Sequence, residues 1–61
     1  MGNNDSGYRE YEVGMEWDSY EESPFKETST TWPYAANEQE ARSKASSQFG
    51  HNKGFKITYV N

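Results

Sequence analysis

The chain contains no cysteine, which excludes disulfides and thiolate zinc sites together. Leucine is also absent, isoleucine occurs only as Ile57, and valine only as Val13 and Val60. Apolar residues make up 31% of the 61 positions, and the mean hydropathy is -1.26. No apolar run approaches the roughly 20 residues that a membrane-spanning helix needs. Cations are scarce as well. Six Lys and Arg stand against ten Asp and Glu, a formal net charge of -4. That balance disfavours nucleic acid and anionic membranes as partners, since both are held through Lys and Arg. Residues 1–7, Met-Gly-Asn-Asn-Asp-Ser-Gly, have neither a basic region nor an apolar stretch, so no secretory signal is expected. Without a secretory context the Asn4-Asp5-Ser6 sequon is a chance match. Gly2 with Ser6 fits only a loose myristoylation pattern and lacks a basic second signal. These absences point to a cytoplasmic protein without membrane or cofactor.

What the chain does have is aromatic rings. They are 16% of the residues and about half of the apolar set. Each ring buries roughly 150–250 Å² when enclosed, so a few can replace many aliphatic side chains. Such a composition argues against disorder throughout, which is ordinarily aromatic-poor. A chain this short still sits near the lower size limit for a self-sufficient core. Limited stability as a monomer, and hence a homodimer, is the expectation.

Residues 10–18 carry the clearest pattern. Tyr11, Val13, Met15 and Trp17 alternate with Glu10, Glu12, Gly14, Glu16 and Asp18. Period-two alternation predicts a strand with one buried and one wet face, and the wet face is almost wholly carboxylate. This strand is expected from about Tyr8 to Trp17, after a disordered lead-in over 1–7. The polar segment 18–24, closed by Pro24, reads as a hairpin loop. A second strand follows over 25–32, rich in threonine. Phe25 and Trp32 have opposite parity, which a bulge between them would reconcile. Pro33 has no N–H to donate and ends that ladder.

Asn37-Glu38-Gln39-Glu40 has the form of a helix start, a capping side chain followed by glutamate three positions on. Ala41, Ala45 and Phe49 repeat every fourth residue and predict a narrow apolar stripe that lets the helix lie close to a sheet. Gly50 reads as a left-handed stop. The turn 51–54 leads into a last strand over 55–60, with Phe55, Ile57 and Tyr59 on one face. The predicted fold is α+β, in the order ββαβ, as a single domain over 8–60. Its three-stranded antiparallel sheet has strand order 2-1-3 and packs on one helix. Glu10, Glu12 and Glu16 would then line the centre of the open face. Lys26 and Lys56 would stand on the flanking strands as partners.

The stretch Ala-Asn-Glu-Gln-Glu-Ala-Arg-Ser-Lys-Ala, residues 36–45, lies between a hairpin and a final strand. In this it resembles many small prokaryotic and bacteriophage ββαβ proteins, which place an Ala-x-x-x-Glu-Ala-x-x-x-Ala helix after two strands. The resemblance covers about residues 8–60. It implies the fold and a phage origin, with the host cytoplasm as location, and carries no activity and no functional residue.

No constellation of catalytic type is present. His51, the one histidine, has no nucleophile motif beside it and reads as a solvated turn residue near a helix C-terminus. Glu10, Glu12, Glu16 and Asp18 lack the loop and glycine of a calcium site, so no metal is expected. A row of glutamates on a wet strand ordinarily serves solubility. Its sharper reading is a surface for a basic partner, either as a steering patch or as an imitation of nucleic-acid charge. Trp32 and Tyr34, with Tyr20 and Phe25, form an aromatic edge that reads either as a lid on the thin core or as an anchor of an interface. The expected function is therefore non-enzymatic, a protein–protein interaction or accessory role. Its sites would be Glu10, Glu12, Glu16, Asp18, Tyr20, Trp32 and Tyr34, and its partner another copy or a host factor. The alternative is a structural homo-oligomer, a virion or assembly component.

Overall fold

The computed structural model describes residues 8–19 and 25–61. The expected lead-in over 1–7, Tyr20, and most of the expected loop over 18–24 lie outside the described residues. The elements are β1 (Arg9–Glu10), β2 (Val13–Asp18), β3 (Lys26–Thr31), β4 (Tyr34–Ala35), α1 (Glu38–Phe49) and β5 (Lys56–Val60). The fold is α+β. One sheet has the order β3-β2-β5 with both neighbours antiparallel to β2, and a second, two-stranded sheet joins β1 to β4.

Two sheets replace the single one expected, and Pro33 explains the break. The register is the same on both sides of it. Stepping forward on one strand and back on the other leads from Arg9/Ala35 through Tyr11/Pro33 to Val13/Thr31. Tyr11 N–H donates to the Pro33 carbonyl at 2.9 Å. Pro33 has no N–H to return the bond, so the ladder is interrupted there. Glu12 uses its backbone groups on the opposite side, where it exchanges bonds of 3.0 and 2.8 Å with Asn61. The expected continuous strand over 8–17 is thus divided at Tyr11 and Glu12.

The predicted bulge between Phe25 and Trp32 is absent, since β3 pairs with β2 residue for residue. A shift lies instead in β5, where Gly14 faces Tyr59 but Met15 faces Ile57, leaving Thr58 as the extra residue. Because strand faces alternate, one added residue exchanges them beyond that point. Ile57 and Val60 both pack on the core, while Tyr59 turns to the open face, away from the side expected for it.

The helix covers the other face of β2. Val13, Met15, Ala35, Ala41 and Ala45 are buried, with Tyr11, Trp17, Phe49, Phe55, Ile57 and Val60 packed around them. The three alanines let backbone approach backbone. Trp17 and Phe49 close one end as stacked rings, with centroids 5.8 Å apart. Asn37 caps α1 through Oδ1, which accepts from Glu40 N–H at 2.8 Å. The Glu40 carboxylate reaches back to Ala36 N–H at 2.7 Å, a reciprocal cap displaced by one residue from the usual box. Gly50 is not the left-handed stop expected of it. Its φ of -65° is right-handed, and its N–H bonds the Ser46 carbonyl at 2.7 Å. Asn52 ends the helix by donating from both backbone and side chain to the Phe49 carbonyl, at 3.1 and 2.8 Å. The left-handed position is Gly54, with φ 74°.

Candidate functional site

The face of β2 turned away from the helix is uncovered among the described residues. Gly14, Glu16 and Asp18 lie on it by strand alternation, and Glu12 in the break before β2 and Glu10 on β1 continue the row. Thr30 faces Gly14, Thr28 faces Glu16 and Lys26 faces Asp18 across one neighbour. Tyr59 and Lys56 face Gly14 and Glu16 across the other. Trp32 and Tyr34 share the parity of Lys26, Thr28 and Thr30, so they extend this face alongside Glu12 and Glu10. Both are 56% exposed. Tyr8 leans on Tyr34, with ring centroids 5.8 Å apart.

Tyr59 is held flat across the strand. Its ring occupies the space that a side chain on Gly14 would fill. Its hydroxyl donates to Glu12 Oε2 at 2.7 Å. That carboxylate raises the Tyr59 pKa above its ordinary value, against the opposing effect of the Thr30 hydroxyl. Beside the ring runs an open groove of ≈ 330 Å³ lined by Gly14, Met15, Thr28, Ser29, Thr30, Thr58 and Tyr59. Five of these seven residues carry hydroxyls, and the lining mixes polar and apolar surface.

The electrostatics of the row are uneven. Lys26 Nζ bonds Asp18 Oδ1 at 2.8 Å, and its pKa is raised first by that hydrogen bond, then by the Asp18 and Glu16 charges. Lys56 stands opposite Glu16 in the ladder. At the other end, no described cation pairs with Glu10 or Glu12. The nearest in sequence, Arg9, lies over the Tyr11 ring at 3.8 Å and donates to the Glu10 backbone carbonyl at 3.0 Å.

Of the residues predicted from sequence, Glu10, Glu12, Glu16, Asp18, Trp32 and Tyr34 come together on this one face, and Tyr20 lies outside the described residues. The sequence reading missed Tyr8 and Tyr59. Tyr8 was accessible to it, because Tyr8 shares the parity of Glu10. Tyr59 was not, because its placement follows from the shift at Thr58.

Chemically, the face offers carboxylate oxygens, hydroxyls and ring faces. Among the described residues no three metal-ligating side chains lie close enough to share an ion, and His51 is exposed in the turn after α1. No described helix is long and apolar enough to cross a membrane. No family model, curated protein or solved structure matches the chain.

Proposed function

We propose that the chain is a small non-enzymatic interaction protein that binds a basic protein surface through the open face of its β2-centred sheet. One observation supports this most. The exposed aromatics Tyr8, Trp32, Tyr34 and Tyr59 share a face with the carboxylate row instead of completing the core. Solubility explains glutamates on a wet strand, but it gives no reason to add tyrosine and tryptophan beside them. Aromatic residues are the usual anchors of protein interfaces, and clustered charge speeds encounter with an oppositely charged partner. The test is a pull-down with the chain and with a Glu12→Lys/Glu16→Lys variant. Partners retained equally by both would sink the charge-based reading.

The second reading is a homo-oligomeric structural component, and the open edges of the sheet favour it. Among the described residues β3 and β5 each pair with β2 alone, so each presents a row of backbone groups without a described partner strand. Sedimentation at micromolar concentration distinguishes the two. A stable oligomer that dissociates in Trp32→Ala supports self-assembly through the aromatic edge, and a monomer supports a foreign partner.

A further inference from the structure

The open face is two different surfaces joined at Gly14. Toward the end of β2, Asp18 is bonded to Lys26, Glu16 adds to the field that holds Lys26 charged, and Lys56 stands opposite Glu16. That half contains its own cations. Toward β1, Glu10 and Glu12 have no described cationic partner, and the aromatic rings gather around them. Tyr34 is paired with Glu10 in the ladder, Tyr8 rests on Tyr34, and Tyr59 is hydrogen-bonded to Glu12. Trp32 stands beside Glu12 by the continuous register.

We infer that the Glu10/Glu12 half is a recognition site for arginine side chains of an extended segment on another protein, a conclusion that rests on the basic-partner reading above. Carboxylates alone would accept any cation. Rings with exposed faces beside them prefer a guanidinium, which stacks on an aromatic plane while its in-plane N–H groups reach a carboxylate. An ammonium is more strongly hydrated and lacks the planar fork. Glu10 and Glu12 are two residues apart on extended backbone, roughly 6.5–7 Å. Alternate side chains of an extended peptide have the same spacing, so arginine at every second position matches both carboxylates. A second copy is a poor occupant, because it brings the same carboxylates and the same net charge of -4. Nucleic acid and anionic lipid are disfavoured by the same sign of charge.

The experiment is calorimetric titration of the full chain with two peptides of equal length and charge, one alternating Arg with Ser and one alternating Lys with Ser. The Arg peptide should bind at least about fivefold more tightly. Glu10→Gln/Glu12→Gln should lose about tenfold or more, and Trp32→Ala/Tyr34→Ala should abolish the preference for Arg over Lys. Glu16→Gln/Asp18→Asn should stay within about twofold of the parent. Circular dichroism shows whether each variant folds, and the Glu→Gln pair retains shape and hydrogen-bonding size. Equal binding of the two peptides, or equal weakening by the two carboxylate pairs, overturns the arginine site and leaves only general charge attraction. If neither peptide binds at low salt, the basic-partner reading fails with it.

Discussion

Val13 and Met15 face the helix, and Gly14 and Glu16, their neighbours along the same strand, face the opposite way, Gly14 buried beneath the Tyr59 ring and Glu16 half-buried. The two faces are built from opposite materials. Under the helix the packing is short-range and apolar, with Ala35, Ala41 and Ala45 drawing backbones together. On the open face the side chains are carboxylates, threonines, two lysines and half-exposed rings, and the contacts are polar, the Tyr59 hydroxyl on Glu12 and the Lys26 ammonium on Asp18. The contrast places most of the stability on one face and leaves the other free to be chosen for what it touches. In a chain this small the division is sharp. Among the described residues the fully buried side chains larger than alanine are Met15 and Val13.

The comparison is broken most directly at Met15. Met15→Ala removes a buried side chain from a core with few others, and is expected to cost about 2–5 kcal/mol. That is a large fraction of the stability of such a domain, measurable as a fall in the urea midpoint or loss of the folded baseline. A cost no greater than that of Glu16→Gln would dissolve the distinction between the faces. Gly14→Val probes the junction, because the new side chain takes the space of the Tyr59 ring. About 1–3 kcal/mol is expected from overpacking, with Tyr59 detached from Glu12, seen as a shift of its ring resonances. Asn37→Ala removes the helix cap and should cost about 1 kcal/mol, read from the thermal midpoint. Glu10→Gln/Glu12→Gln should change stability by no more than about 0.5 kcal/mol while weakening the binding of a basic peptide.

The smallest effect is on pH dependence. Tyr59 has a raised pKa in the folded chain, so the folded state holds its proton more tightly than the unfolded chain does. Its contribution is therefore fully present below the ordinary tyrosine value of 10.0 and is lost as pH rises above that value toward the folded one. Thermal melts carried into this alkaline range should show a decline that Tyr59→Phe reduces. An unchanged decline in Tyr59→Phe would assign it to other groups, Lys26 among them, whose raised pKa acts in the same direction.

Much of the architecture is legible in local pattern. The alternation over 8–18 assigns each side chain of β1 and β2 to a face, because a strand reverses direction at every residue. The helix from Glu38 to Phe49 begins at its cap, and its Ala41/Ala45/Phe49 stripe is the side that packs. The illegible parts are those where backbone bonds were competed for over distance. Thr58 becomes a bulge, and nothing in Phe-Lys-Ile-Thr-Tyr-Val marks it. Gly50 continues right-handed with its N–H on the Ser46 carbonyl, and Asn52, three residues past the helix end, takes the Phe49 carbonyl. Pro33 announces an interruption, but only pairing shows that the ladder resumes beyond it in the same register.

The candidate site divides in the same way. The sequence by itself determined that Glu10, Glu12, Glu16 and Asp18 form a row, since alternation along an extended segment is local and survives the break between β1 and β2. It also set Trp32 and Tyr34 on either side of Pro33, where the second strand stops. Only the tertiary structure decided that the row and the rings share a face, that Tyr59 joins them, and that Lys26 settles on Asp18 and leaves Glu10 and Glu12 without a described cation. Strand periodicity is local and readable from spacing. Register between strands depends on which N–H meets which carbonyl across the sheet, and a single extra residue reverses the outcome.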